Sequence, residues 1–192
     1  MSNKKTDTLI KLLSAASECF AEKGYSESTT KEIASRAGIG QGSIYTYFKG
    51  KEELFDAIVD DVRDRTFDLY DSLQSGTYLD RLCDFIELGI NDKIFPPYQN
   101  KLWLEIMAAS SRNEYLRDKY IDSDILTREG IEKFIAMGIE SGEFRNDLDL
   151  NETTIILFSI LDGLVCKKAI NPNFSLEVDL PFFKGFIKNL LS

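Results

Sequence analysis

Apolar residues recur at three- and four-residue steps along nearly the whole chain, the period of an amphipathic helix. Leu9, Leu13, Ala16 and Phe20 share one side, with Lys11, Ser14, Glu18 and Glu22 opposite, and Gly24 stands where a left-handed cap ends such a helix. Thr29-Thr30-Lys31-Glu32 has the spacing of a capping box and opens a short second helix with Ile33, Ala34 and Ala37 on its apolar side; Gly38 stops it. A third short helix is predicted from about Gln41 to Phe48, with Ile44 and Phe48 one turn apart and facing inward. Lys49-Gly50 is a break, and Lys51-Glu52-Glu53-Leu54 opens a longer helix through Ile58 and Val62 toward Leu73. Beyond the Gln74-Ser75-Gly76 loop, helices are predicted over about Leu79 to Phe95, ended by Pro96-Pro97, and over Tyr98 to Ser111. Glu114 to Ser141 follows, with Ser123 a candidate break and Gly142 as cap. Asp149-Leu150-Asn151-Glu152 then starts a helix reaching Ile170, and a last one covers about Glu177 to Leu190. No segment alternates as a strand does. The expectation is an all-α protein of about nine helices.

The first three helices form a unit of their own. Two short helices joined by a tight turn at Gly38-Ile39-Gly40, after a longer first helix, describe a helix-turn-helix. Pattern alone also admits a plain three-helix bundle with no nucleic-acid role. The expected division is residues 1–50 for the helix-turn-helix and 51–192 for a larger helical body.

Composition narrows the chemistry. Histidine is absent, which removes His-based acid–base catalysis, His-activated nucleophiles and His-liganded zinc. Cys19, Cys83 and Cys166 form no CxxC pair and read as reduced thiols. Carboxylates are plentiful, but no spacing assigns an acid–base pair and no glycine loop cradles phosphate. No catalytic residue, metal or cofactor is expected. The longest apolar run, Thr153 to Cys166, is too short to span a bilayer and carries Asp162. Lys11, Glu18 and Glu22 interrupt what would be the core of a secretory signal, so a cytoplasmic location is expected.

Charge divides along the same boundary. The chain carries −9 overall, yet residues 1–51 hold eight Lys or Arg against five acids, a net of +3, leaving −12 on the remainder. Charges beyond a Debye length of about 8–10 Å are screened. A locally basic unit on an acidic body therefore suits DNA contact at one face and discourages adhesion elsewhere.

The run from Phe20 to Phe55 carries the most specific signal. It reads Phe20-Ala21-Glu22-Lys23-Gly24-Tyr25, Thr29-Thr30-Lys31-Glu32-Ile33-Ala34 and Ala37-Gly38-Ile39. Gly42-Ser43-Ile44-Tyr45-Thr46-Tyr47-Phe48-Lys49 and Lys51-Glu52-Glu53-Leu54 complete it. In residue type and spacing this run resembles the DNA-binding unit of TetR-type transcriptional repressors. The rest resembles that family in length, helical content and the Asp162-Gly163-Leu164 element. The resemblance implies a carboxy-terminal body that binds a small molecule and dimerises. One departure is Gly40, where the family often places Ser or Thr, so a capping hydroxyl is lost; Gly is a tolerated cap.

The residues carry parallel readings. Thr30 begins a helix whose free amides suit a phosphate, or simply helps to cap it. Lys31 projects from the first turn toward a base edge, a phosphate or solvent. Gln41 has the donor and acceptor for adenine, or is a surface residue at a helix start. Gly42 permits close approach of backbone to a duplex, and Ser43 offers a hydroxyl to phosphate. Tyr45 and Thr46 stand outward when Ile44 and Phe48 point in, placed for a thymine methyl or a base edge. The resemblance implies that Tyr47 and Lys51 hold the phosphate backbone; packing and helix capping are their structural alternatives.

In the body, Ile155, Ile156, Phe158, Ser159, Leu161 and Gly163, with Asp162 among them, make a helix whose other residues are too apolar to bury only inward, and Phe182, Phe183, Phe186, Ile187, Leu190 and Leu191 add a second apolar surface. Of these, Ile155, Phe158, Ser159, Asp162, Phe182, Phe186 and Leu190 are the candidate interface of a homodimer built as an intersubunit four-helix bundle. Trp103, Met107, Phe134 and Phe158 are candidates to line a pocket for a largely apolar effector, together with Phe95, Tyr98, Tyr115 and Met137. Glu105, between Leu104 and Ile106, reads as a counter-charge for a cationic ligand or as a solvent-facing acid. The expected function is a ligand-responsive DNA-binding regulator, a repressor released from a palindromic double-stranded operator by a small molecule. A helical carrier or partner-binding protein without operator binding is the alternative of a different class.

Overall fold

A computed structural model describes residues 2–91, 96 and 98–192, with side chains from residue 6 onward. Phe95 lies outside the described residues. Nine helices and no strand occur among those described: α1 (Ser2–Lys23), α2 (Thr30–Arg36), α3 (Gln41–Ile44), α4 (Lys51–Ser72), α5 (Tyr78–Gly89), α6 (Gln99–Arg112), α7 (Glu114–Glu140), α8 (Leu150–Ile170) and α9 (Leu176–Leu191). The all-α expectation holds. Three local expectations do not. Regular α-helix in the third element ends at Ile44, and the chain continues through Tyr47 in turns closed by Thr46 N–H to Ser43 O and Tyr47 N–H to Ile44 O. α5 stops at Gly89 rather than running to Phe95, because a glycine weakens its last turn and Ile90 leaves helical geometry at φ −106°, ψ 1°. α7 passes through Ser123 without a break: that side chain is buried among neighbours instead of competing for the backbone from outside.

The chain forms two compact units. One comprises residues 1–62 with 101–123, the other 63–100 with 124–192. In the first unit, α1 contributes Leu12, Ala16, Cys19 and Phe20 to a core completed by Ile33, Ile44, Leu54, Phe55 and Ile58. Ile106 and Leu116 from the amino-terminal unit's share of α6 and α7 are buried as well. Tyr25 sits edge-on between Phe20, with ring centroids 5.3 Å apart, and Phe55 at 5.5 Å. Each large apolar side chain removed from water this way contributes about 1.5–3 kcal/mol, which is what holds α2 and α3, too short to be stable alone.

In the second unit the deepest residues are Phe134, Ile135, Ile187 and Leu191. A chain of edge-to-face rings crosses it, from Phe85 to Tyr70 (6.0 Å), Tyr70 to Phe134 (5.2 Å), Phe134 to Tyr78 (5.2 Å) and Tyr78 to Phe144 (6.5 Å). Glu143 ties down the start of α5 by accepting the N–H groups of Tyr78 and Leu79, each at 2.8 Å. α8 is apolar on all sides: Leu157, Leu164 and Val165 are buried, while Ile155 and Ile156 remain exposed.

Candidate nucleic-acid interface

The interface candidate is built on α2, α3 and the turn between them. Thr29 caps α2: its hydroxyl oxygen accepts from the N–H of Glu32, and the Glu32 carboxylate accepts from the N–H of Thr29. α2 ends in a Schellman arrangement, with Ile39 N–H bonded to Ala34 O and Gly38 N–H to Ser35 O. Gly38 has φ +70°, a conformation that would strain a side-chain-bearing residue, so the turn angle between the two helices depends on it. Gly40 precedes α3 with no side-chain cap, so the missing hydroxyl is not replaced.

Ile44 and Phe48 are buried, as their spacing predicts, and this fixes the outward side. Gln41, Gly42, Ser43 and Thr46 are exposed, Tyr45 is 54% exposed, and Tyr47 is half-buried. Lys31 is exposed on the first turn of α2. The Thr30 and Tyr45 hydroxyls lie 3.3 Å apart, joining the start of α2 to the residue after α3. A Cβ placed on Gly42 meets nothing within 4 Å, so no internal crowding requires glycine there.

Four basic residues at this end of the chain are already engaged. Arg36 donates to Glu22 at 2.6 Å and reaches Glu18 at 3.4 Å, and these partners raise its pKa. Lys23 pairs with Glu32 at 2.5 Å and Lys49 with Glu53 at 3.3 Å. These are exposed pairs of small energetic value, and Glu18, Glu22 and Glu32 are acids already counted in the net +3 of residues 1–51.

Lys51 is the most committed cation. Its Nζ donates to the carbonyl oxygens of Tyr25 (2.6 Å), Ser26 (3.1 Å) and Ser28 (3.1 Å) and lies 4.4 Å from the centre of the Tyr25 ring. Burial lowers its pKa. All three ammonium hydrogens are thus directed at the loop between α1 and α2. Glu105 reaches the same loop: its Oε1 accepts the N–H of Tyr25 at 2.6 Å. Glu105 is half-buried. A Cβ on Gly24 would meet that carboxylate at 3.3 Å, so the close approach favours glycine. Tyr115 donates to Asp56 (2.5 Å) and Lys119 pairs with Asp60 (2.8 Å), joining α7 to α4 within this unit.

The remaining sequence candidates fall in separate places. Trp103 and Met107 are half-buried in the first unit, where Trp103 stacks at a tilt on Tyr120, 5.8 Å between centroids. Phe134 is at the centre of the second unit's ring chain and Phe158 is half-buried on α8. On α8 and α9 of that unit, Ile155 and Ser159 are exposed, Phe182 is 76% and Phe186 52% exposed, and Phe158, Asp162 and Leu190 are half-buried. Sequence reasoning passed over Tyr70 and Arg81. The signal for Arg81 was present: Tyr78, Arg81, Leu82, Phe85 and Ile86 form one helical stripe, and a single cation interrupts it.

Comparison with known proteins gives a consistent picture. The family described as bacterial regulatory proteins, tetR family, matches residues 12–58, and that described as BetI-type transcriptional repressor, C-terminal, matches residues 79–191. The chain is 31% identical over 147 residues to the HTH-type transcriptional repressor KstR2 of Mycobacterium tuberculosis, covering 73% of this chain and 70% of that one. It is 26% identical over 188 residues to the HTH-type transcriptional regulator TtgR of Pseudomonas putida, covering 91% and 84%. A TetR-family regulator structure from Rhodococcus sp. superposes with a TM-score of 0.87 at 23% identity, covering 97% of this chain and all of that one. The structure of FadR from Bacillus subtilis in complex with stearoyl-CoA gives 0.78 at 22% identity, covering 95% and 96%. These two likenesses establish the fold.

Proposed function

Since the chain belongs to the TetR family of bacterial transcriptional regulators, we propose that it is a homodimeric repressor that leaves a palindromic operator when a small molecule binds its body. It works by binding, without catalysis, in the cytoplasm. The observation that carries this reading is the surface of α2 and α3: Lys31, Gln41, Gly42, Ser43, Tyr45 and Thr46 are presented outward by the anchored pair Ile44 and Phe48. Gln41, Tyr45 and Thr46 read base edges, while Thr30, Ser43 and Tyr47 contact phosphates. Lys51, with its hydrogens on three carbonyls, positions the loop that carries Thr30 and adds its charge at the edge of the contact.

One such unit covers little of a duplex. Two recognition elements one DNA turn apart, about 34–36 Å, are the usual solution. The exposed Phe182, Phe186 and Ile155 supply the apolar area for the two-fold interface. Residues 1–50 are the DNA-binding part and 51–192 the effector-binding and dimerising part. Among the described residues no helix is long and apolar enough to cross a membrane.

The test is a gel shift with the DNA flanking the protein's own gene, over a salt series. The expected outcome is a discrete complex whose affinity falls steeply with salt as phosphate contacts release counterions. Failure to shift that DNA at low salt, or binding indifferent to sequence, would reject the operator reading in favour of a helical carrier.

A further inference from the structure

We propose that Glu105 is a positioning residue for DNA recognition. From α6 it fixes one peptide group of the loop between α1 and α2, and through that group the start of α2. The proposal rests on the operator-binding reading above and adds to its machinery a residue that lies outside the α2–α3 surface. The peptide group is the one joining Gly24 to Tyr25. Its N–H donates to Glu105 Oε1 at 2.6 Å. Its carbonyl oxygen accepts twice from Ser28, from the hydroxyl at 2.8 Å and from the backbone N–H at 3.2 Å. A peptide group is planar, so holding its N–H also sets the direction of its C=O.

Ser28 is 2% exposed and immediately precedes Thr29, whose hydroxyl caps α2. Thr30, the first residue of α2, then meets the Tyr45 hydroxyl. One continuous set of bonds therefore runs from the α6 carboxylate to the residues proposed to touch DNA. Gly24 is suited to its place twice over: its φ is +86°, and a Cβ would stand 3.3 Å from Glu105 Oε1. Leu102 and Ile106 of α6 are buried and anchor the helix where the carboxylate leaves it. A hydrogen bond to a charged acceptor is about twice as strong as a neutral one. Without Glu105 the Tyr25 N–H loses its acceptor and the peptide group is free to turn, taking the acceptor of Ser28 with it. Operator affinity then falls by the fraction of molecules in which the start of α2 is out of place.

The experiment measures operator affinity of the full-length protein over a salt series for the unaltered chain, Glu105→Leu and Glu105→Gln, each well below its unfolding transition. Exchange of the Tyr25 and Ser28 amide hydrogens is followed by NMR in parallel. Glu105→Leu is expected to bind about tenfold more weakly with an unchanged salt slope, since no phosphate contact is lost, and to exchange both amides faster. Glu105→Gln keeps an oxygen acceptor and is expected to stay within about threefold of the original. Undiminished binding by Glu105→Leu, or a glutamine variant as weak as the leucine one, overturns the proposal. Rapid exchange of the Tyr25 amide in the unaltered protein also overturns it, which keeps the test decisive even if Glu105→Leu fails to fold. An unaltered protein that gives no operator complex rejects the operator reading and the positioning role with it; a complex insensitive to Glu105→Leu rejects the positioning role alone.

Discussion

Two half-buried cations, one in each unit, lie over aromatic rings and meet opposite fates. Lys51 stands 4.4 Å from the Tyr25 ring and spends its hydrogens on three carbonyls; Arg81 stands over Phe134 and Tyr78 with its Nε unanswered. The lysine is part of the fold, because removing it would strand three acceptors. The arginine is tolerated by the fold. The same contrast holds for apolar groups: Ile44 and Phe48 are fully used inside the first unit, whereas Phe182 and Phe186 of the second wait outside it. The unit that reads as DNA-binding answers its half-buried cation from its own chain; the other leaves the Arg81 Nε without a partner.

The hardest way to break that contrast is at the open apolar faces. Phe182→Glu with Phe186→Glu is expected to remove about 3–6 kcal/mol of interface burial and to convert the dimer to monomer in sedimentation equilibrium. A variant that remains dimeric would move the interface elsewhere. Next come the cations. Lys51→Met is expected to lower unfolding free energy by about 2–4 kcal/mol in denaturant titration, while Arg81→Met stays within about 1 kcal/mol of the original. Equal losses would erase the distinction.

Smaller effects sharpen the DNA side. Gln41→Ala and Thr46→Ala are each expected to cost about 1–3 kcal/mol of discrimination between operator and unrelated DNA. Lys31→Ala should weaken both DNAs alike and reduce the salt slope by about one. Gly42→Ala should stabilise the fold by up to about 1 kcal/mol, since nothing crowds the new methyl, yet impair DNA binding. The least effect at neutral pH concerns Tyr25 and Tyr70, both held up to about 12 by burial. Their folded pKa values exceed the usual tyrosine value near 10, so the stability they confer is intact below pH 10 and is lost as pH rises toward 12. Ultraviolet titration should show three of the eight tyrosines ionising late, Tyr25 and Tyr70 with Tyr115, whose hydrogen bond to Asp56 also raises its pKa, together with alkaline unfolding in that window.

Much of this was legible in the sequence, and the reason is local. A capping box, a glycine stop and two inward residues one turn apart are set within a few positions, so α2, the Gly38 turn and the Ile44–Phe48 anchor could be read directly. Lys51 and Glu105 could not. Their partners are backbone groups of the loop after α1, 23 to 80 positions away, and periodicity reports which side of a helix faces in but not which atom it meets. Ion pairing was out of reach for the same reason: a charge count does not say that Arg36, Lys23 and Lys49 stand against Glu22, Glu32 and Glu53.

The hydroxyls of Thr30 and Tyr45 touch before any duplex is present. The bond ties the start of α2 to the residue after α3, so the contacts proposed for Thr30 and Tyr45 are positioned together rather than independently. A link of this kind couples the phosphate contact proposed for Thr30 to the base reading proposed for Tyr45 beside Gln41 and Thr46.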